Sequence, residues 1–414
     1  MKRNIFTVLV LAVAALSCRD IFEPRPKPEV VSVKISPTDT TVDFAYGELQ
    51  FSSEAETRSG ASNEVICSAN TGSVSANQIY AVPVSPGTYI VTCTSVTNPT
   101  KSATMTVRVV RMNLIAYSRF AAPAPMNCRG ASGVISCLDI FLKEPDKPGV
   151  KQITGLSVDY PAWQNWEPRW SNDGRRLAFS VTVAPDAAHL ATPGFQIFIM
   201  NLTRSGPVQL TRGTNSRGIQ GAMPNWSPDD KTIVFSYFKD GRQSGLATMD
   251  TTGDNVTILT VNPSGVFVDG WPSYSPDGEW IVFARGADIY KMRSDGTELV
   301  NLTNTPSTLD FTPAFSPDGK KIALSSRTGL IIQIWVMNSD GTEKRQLTFG
   351  PDEYTNPSWS PDGRHLVISS VSNMVDDIVT FYGDLYTVPA DGSGVLVNIT
   401  NSPTLAEIWP AWRR

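Results

Sequence analysis

Histidine is nearly missing from this 414-residue chain: only His189 and His365 occur, 176 positions apart. That scarcity excludes most zinc chemistry and most general-base catalysis, which draw on imidazole. Charge is also sparse, at 18% Asp, Glu, Lys and Arg, and the formal net charge is -4. A mildly acidic balance argues against nucleic acid, which selects a basic face. No apolar run reaches the roughly 20 residues of a membrane-spanning helix. The signatures Gly-x-Ser-x-Gly, His-Glu-x-x-His and the phosphate-binding loop do not occur. No cofactor is expected. With 41% hydrophobic residues, 30 Gly and 30 Pro, the chain has material for a real core and many turns.

The amino terminus reads as an address. Lys2 and Arg3 precede an uncharged stretch from Ile5 to Leu16 that is too short to span a bilayer. It ends in Ala15-Leu16-Ser17-Cys18, which resembles the lipobox of bacterial lipoproteins. The resemblance implies a signal peptide over 1–17 and a lipid anchor on Cys18. Arg19 follows the cysteine, which by the same resemblance favours the periplasmic face of the outer membrane. Proline alternates with charge over Phe22–Pro28, so 18–29 is expected to be a semi-rigid tether. Apart from Cys18, four cysteines remain: Cys67, Cys93, Cys128 and Cys137. An even remainder in an exported chain reads as two disulfides. Three pairings are open. Pairing within each predicted domain favours Cys67–Cys93 and Cys128–Cys137.

Residues 30–111 alternate apolar and polar positions between closely spaced turn signals, the pattern of a small β-sandwich. Val33-Lys34-Ile35-Ser36-Pro37, Ala45–Phe51, Gly87–Cys93 and Lys101–Thr104 resemble bacterial Ig-like domains of the group 2 kind. That resemblance places Cys67 where the family commonly has Trp, and Cys93 on the strand after the Gly-Thr-Tyr turn. It implies a spacer or an adhesive module.

A repeat dominates the rest. Pro168–Gly174, Pro224–Asp230, Pro272–Gly278, Pro313–Gly319 and Pro357–Gly363 each place an aromatic two residues after Pro, followed by a Ser-(Pro/Asn)-Asp-(Gly/Asp) turn. A truncated copy, Pro410-Ala411-Trp412, comes last, and the aromatics are spaced by 56, 48, 41, 44 and 53 residues. Periods of about 40–50 with strand-like patterning indicate propeller blades. In the turns, Asp173, Asp229, Asp277, Asp318 and Asp362 should bond their own backbone, while Gly174, Gly278, Gly319 and Gly363 accept positive φ. The same acids could instead line one rim and hold a cation. These residues resemble the WD40-like PD40 repeat of TolB-type propellers over about 113–412.

The segments 113–118, 139–142 and 151–154 supply three strands of one more blade. Its missing strand is expected from Ile408–Trp412, with Trp409 and Trp412 closing the ring. The expected fold is therefore all-β: a small Ig-like sandwich, then a six-bladed propeller over 112–414. TolB has an amino-terminal α/β domain where this chain has the Ig-like pattern. Trp163 and Trp166, outside the aromatic slot, are either partner anchors or packing against the first blade. His365 reads as a solvated strand residue. Asp376 and Asp377 are a weak calcium candidate. The insertions at Ala184–Gly194 (holding His189), around Cys128–Cys137 and at Val371–Tyr382 are expected to carry a partner surface.

The functional expectation is non-catalytic binding of an envelope protein or a cell-wall-linked partner, with membrane attachment through Cys18, no nucleic acid and the oligomeric state left open. Two alternatives stand beside it: a carbohydrate-binding or carbohydrate-active channel, and an adhesin that uses the Ig-like part.

Overall fold

The computed structural model describes residues 30–43, 48–57, 64–81, 87–110, 113–120, 138–154, 164–183, 194–202, 206–211, 219–239, 242–261, 269–305, 307–371, 383–402 and 406–414. All regular structure among them is strand, with no helix. Two compact units divide at Arg111 and Met112. Cys18, Cys128, Cys137, Trp163, His189, Asp376 and Asp377 lie outside the described residues.

The first unit holds three small sheets. Val30–Ser36 pairs antiparallel with Ser52–Thr57. Asp39–Asp43 runs parallel to Ser102–Val110, which pairs with Gly87–Ser95 and through it with Val65–Ala69. Glu48–Gln50, Ile79–Ala81 and Ser73–Val74 form the third. The alternating side chains Val33, Ile35, Phe51, Tyr80, Val91, Met105 and Val107 meet in one core. Cys67 and Cys93 are direct cross-strand partners and form a disulfide inside that core.

In the second unit the described residues form six four-stranded antiparallel sheets. Sheet II runs Gln164–Trp170, Arg176–Val183, Gly194–Asn201 and Val208–Gln209. Sheet III runs Gln220–Trp226, Thr232–Lys239, Arg242–Asp250 and Thr257–Ile258. Sheet IV runs Asp269–Tyr274, Trp280–Arg285, Asp288–Arg293 and Val300–Asn301. Sheet V runs Thr308–Phe315, Lys321–Thr328, Ile331–Asn338 and Arg345–Gln346. Sheet VI runs Glu353–Trp359, His365–Val371, Leu385–Pro389 and Val397–Asn398. Sheet I has Ile115–Phe120, Leu138–Lys143 and Lys151–Gln152 from the start of the unit. Its remaining strand is Glu407–Trp412, paired antiparallel with Ile115–Phe120; it takes the inner place that the first-named strand holds in sheets II to VI.

Burial explains why these strands read as nearly continuous apolar runs. The second strand of each sheet is covered on both faces, so both sets of alternating side chains are buried there, as over 233–237, whereas a short outer strand such as Lys151–Gln152 is exposed. In sheet II, Leu177 and Phe179 pack toward sheet I, while Ala178 packs toward sheet III. One apolar cluster fills each gap between neighbours: I with II, II with III, III with IV, IV with V, V with VI, and VI back onto I. The last cluster joins Val367 and Leu385 of sheet VI to Ile115, Tyr117 and Trp412 of sheet I. The carboxyl-terminal strand therefore sits between the first and last sheets and contacts both.

Candidate functional site: the central cavity

Two local motifs hold the inner strands in place. At the turn after five of the six inner strands, serine donates to the aspartate two residues on: Ser171 to Asp173 at 2.6 Å, Ser227 to Asp229 at 2.7 Å, Ser275 to Asp277 at 2.5 Å, Ser316 to Asp318 at 2.6 Å and Ser360 to Asp362 at 2.6 Å. The carboxylate then accepts the amide two residues further, as from Lys320 at 3.1 Å. The serine oxygen accepts the amide five residues on, as from Lys321 at 2.9 Å. These serine hydroxyls, as the leading cause, hold Asp229, Asp277, Asp318 and Asp362 below the ordinary aspartate range. The turn acids are thus committed to the backbone. No group of three or more metal-ligating side chains occurs among the described residues.

Gly174, Gly278, Gly319 and Gly363 have φ between 69° and 76°, the left-handed region these turns require. In sheet III that place is taken by Asp230, at φ 59°. Its carboxylate accepts the amides of Asn172 and Asp173 at 2.6 and 2.8 Å, tying its turn to that of sheet II. An aspartate tolerates αL better than most residues, and here it gains two inter-sheet bonds.

The second motif was not legible in the sequence. In all six inner strands the residue before the repeat's proline has positive φ: Glu167 53°, Met223 59°, Trp271 50°, Thr312 50°, Asn356 56° and Trp409 53°. At each, two inner-strand residues oppose a single partner. Glu167 and Pro168 face Phe179 alone, and Trp409 and Pro410 face Tyr117 alone, because the register slips there. The other four inner strands slip at the same place. These are β-bulges, which explains the proline, since the amide it lacks would have no ladder partner. Each left-handed non-glycine residue costs about 1–3 kcal/mol, a cost the packed ring must outweigh.

The bulges turn side chains toward the axis. Trp271 Nε1 of sheet IV donates to Glu167 Oε1 of sheet II at 3.2 Å, and Ser180 donates to Glu167 Oε2 at 3.3 Å. Burial pushes the Glu167 carboxyl up, opposed by Arg169, Trp271, Ser180 and the Met223 amide. Trp166 and Trp409 meet edge to face, with ring centroids 4.7 Å apart. Trp166 therefore packs on the closing strand of sheet I. Toward the turn end lies a cavity lined by residues of all six inner strands, among them Arg169, Trp226, Trp271, Asn356, Trp412 and the neighbouring Arg414. The space open to the centre of a water-sized sphere is about 70 Å³, enough for a few waters or one small group.

The remaining expected residues fall as follows. Trp412 is buried, its amide accepted by Ser358 Oγ of sheet VI at 2.9 Å and its indole donating to Asn113 Oδ1. His365 is exposed on its strand. The Leu-Thr and Ile-Thr ends of the fourth strands have a part the sequence did not disclose. Thr154, Thr211, Thr260, Thr303, Thr348 and Thr400 each accept an amide of the third strand at 2.8–3.0 Å. The insertion around Cys128–Cys137 and nearly all of 184–194 and 371–382 lie outside the described residues.

This architecture is that of a β-propeller. Residues 265–388 match the family model described as the TolB beta propeller domain. The chain is 36% identical over 122 residues to the TolB homolog of Chlorobium luteolum, covering 29% of this chain and 27% of that protein. It is 27% identical over 199 residues to an uncharacterized peptidase of Bacillus subtilis, covering 46% of this chain and again 27% of the relative. The chain thus spans about a quarter of the length of these curated relatives. Among solved structures, TolB from Acinetobacter baumannii superposes with a TM-score of 0.53 at 19% identity, covering 80% of each chain, a likeness of fold. The second unit is thus a β-propeller whose residues 265–388 are similar to the TolB propeller.

Proposed function

We propose that this chain is an exported, lipid-anchored envelope protein that binds a protein or cell-wall-linked partner and catalyses no reaction. In this reading Cys18 carries the lipid and 18–29 form the tether. Residues 30–111 are an Ig-like spacer, and 112–414 are a six-bladed propeller closed by Glu407–Trp412. The TolB-like match over 265–388 is the observation that carries the binding role. The ring geometry supports it, because a scaffold braced by six packed interfaces presents loops in fixed positions. The insertions around Cys128–Cys137, Ala184–Gly194 and Val371–Tyr382 are the partner surface in this reading. Photo-crosslinking residues placed there, followed by mass spectrometry from living cells, test it. One recurrent envelope protein captured from several positions supports the reading, and a diffuse background counts against it. Cys18→Ala is expected to release the protein from membranes; continued retention contradicts the anchor.

A further inference from the structure

We infer that the turn end of the central cavity is a binding site for one small oxyanion, a carboxylate or phosphate group, held between Arg169 and Arg414. The inference stands on the cavity itself and does not depend on the partner reading. Two guanidinium groups from sequence-distant positions, one on the sheet II inner strand and one past the sheet I closing strand, reach the same small space. No Asp or Glu is among the described residues that line it. The other polar lining consists of amides and hydroxyls, including Asn225, Ser273, Asn356 and Ser358, which can donate to an anion.

The present bonds of the two arginines leave donors to spare. Arg169 Nη1 donates to the Pro168 carbonyl at 3.0 Å, and Arg414 Nη2 reaches the Phe315 carbonyl at a long 3.4 Å. A guanidinium carries five N–H donors and is strongest when it meets an oxyanion in a bidentate pair. Elsewhere the protein makes that pair internally: Arg285 grips the Asp269 carboxylate with bonds of 2.7 and 2.6 Å. In the cavity an incoming oxyanion would take the place of Asp269. Burial lowers the Arg169 pKa, with Glu167 opposing, and burial alone lowers that of Arg414. Both arginines are partly buried, and a bound anion would offset the hydration they have lost. The roughly 70 Å³ open to the centre of a water-sized sphere admits a single carboxylate or phosphate with its water.

The oxyanion can arrive free or on an acidic side chain of a partner, and the test separates the two. Trp226, Trp271 and Trp412 line the cavity, so intrinsic tryptophan fluorescence reports on it. The full chain is titrated with sodium phosphate, and separately with acetyl-Gly-Asp-Gly-amide, at ionic strength held constant with sodium chloride. Saturation by phosphate marks a free-anion site, and saturation by the peptide alone marks a site for a chain-borne carboxylate. Either supports the inference if Arg169→Met weakens the response at least about tenfold while Arg327→Met, at the exposed end of the second strand of sheet V, does not. Arg414→Met is read in the same way and replaces Arg169→Met if that variant fails to fold. No saturable response to either probe, or equal saturation in the Arg169 and Arg414 variants, overturns the inference.

Discussion

The indole Nε1 of Trp170 donates to the main-chain carbonyl of Ala411 at 3.1 Å, across 241 residues of sequence. The same bond recurs around the ring. Trp226 donates to the Arg169 carbonyl at 3.0 Å, and Trp359 donates to the Ala314 carbonyl at 3.0 Å. In each case the acceptor immediately precedes the repeat aromatic of the neighbouring sheet. The aromatic slot therefore fills the inter-sheet gap and, where it holds Trp, also ties neighbouring inner strands together.

Trp170→Phe keeps most of the apolar bulk and removes the bond to Ala411. It is expected to cost about 1 kcal/mol, near the typical net value of one hydrogen bond. Trp412→Ala removes a buried ring and should cost about 3–5 kcal/mol. Denaturant melts of the two variants check the difference in size. Equal losses would mean that packing by Trp412 contributes little to the closing strand.

The turn serines offer a second test. Ser316→Ala removes the donor to Asp318 and the acceptor of the Lys321 amide. A loss of about 1–2 kcal/mol is expected from chemical melts. If the hydroxyl is incidental, the variant melts as the parent does.

Acid should act on the same class of group. Asp250, at the turn after the third strand of sheet III, is held down to about 2, first by the Thr252 hydroxyl and then by nearby amides. A depressed carboxylate stabilises the fold above its unfolded value near 3.8. That contribution is lost as pH falls from there toward 2. Asp250 is only partly buried, so solvent screening keeps its own share small. Asp250→Asn is expected to flatten the melting curve's pH dependence between about pH 4 and 2 and to leave its shape near neutrality unchanged. An undiminished acid slope would contradict this.

Glu407 on the closing strand behaves in the opposite sense. Its side chain is fully buried, and Arg119 Nε lies 3.4 Å away. Burial is the leading cause that pushes its pKa up; Thr400, Arg119 and Ser402 oppose this, and Asp384 adds to it. A raised carboxylate binds its proton more tightly when folded. Stability should therefore fall as pH rises from the unfolded value near 4.5 toward the folded one. Glu407→Gln should remove that decline, as seen in melts from pH 4 to 8. A decline of the same size in the variant would assign it elsewhere.

Much of this architecture was legible in the residues because the repeat is both periodic and chemically specific. Ser-Pro-Asp-Gly fixes a turn, the alternating Ile, Val and Phe fix the strand after it, and Trp412 lacks a following strand of its own. Other features left no readable mark. Glu167, Met223, Trp271, Thr312, Asn356 and Trp409 share one backbone conformation but no side-chain chemistry, and the residue before a proline is ordinarily extended. The bulge shows only in the register between strands, which is a tertiary feature. The pairing of Glu167 in sheet II with Trp271 in sheet IV was hidden for the same reason, since 104 residues separate them. Arg414 lines the same cavity as Arg169 although 245 residues separate them, a juxtaposition that only the fold discloses.

The central claim is that Glu407–Trp412 completes the first sheet and locks the six sheets into a closed ring. Thermal unfolding of the chain truncated after residue 406, followed by circular dichroism beside the full-length protein, tests it most directly. The ring account predicts a melting temperature lower by about 10 °C or more, or no cooperative transition at all. An unchanged melting temperature and an equally sharp transition would contradict it.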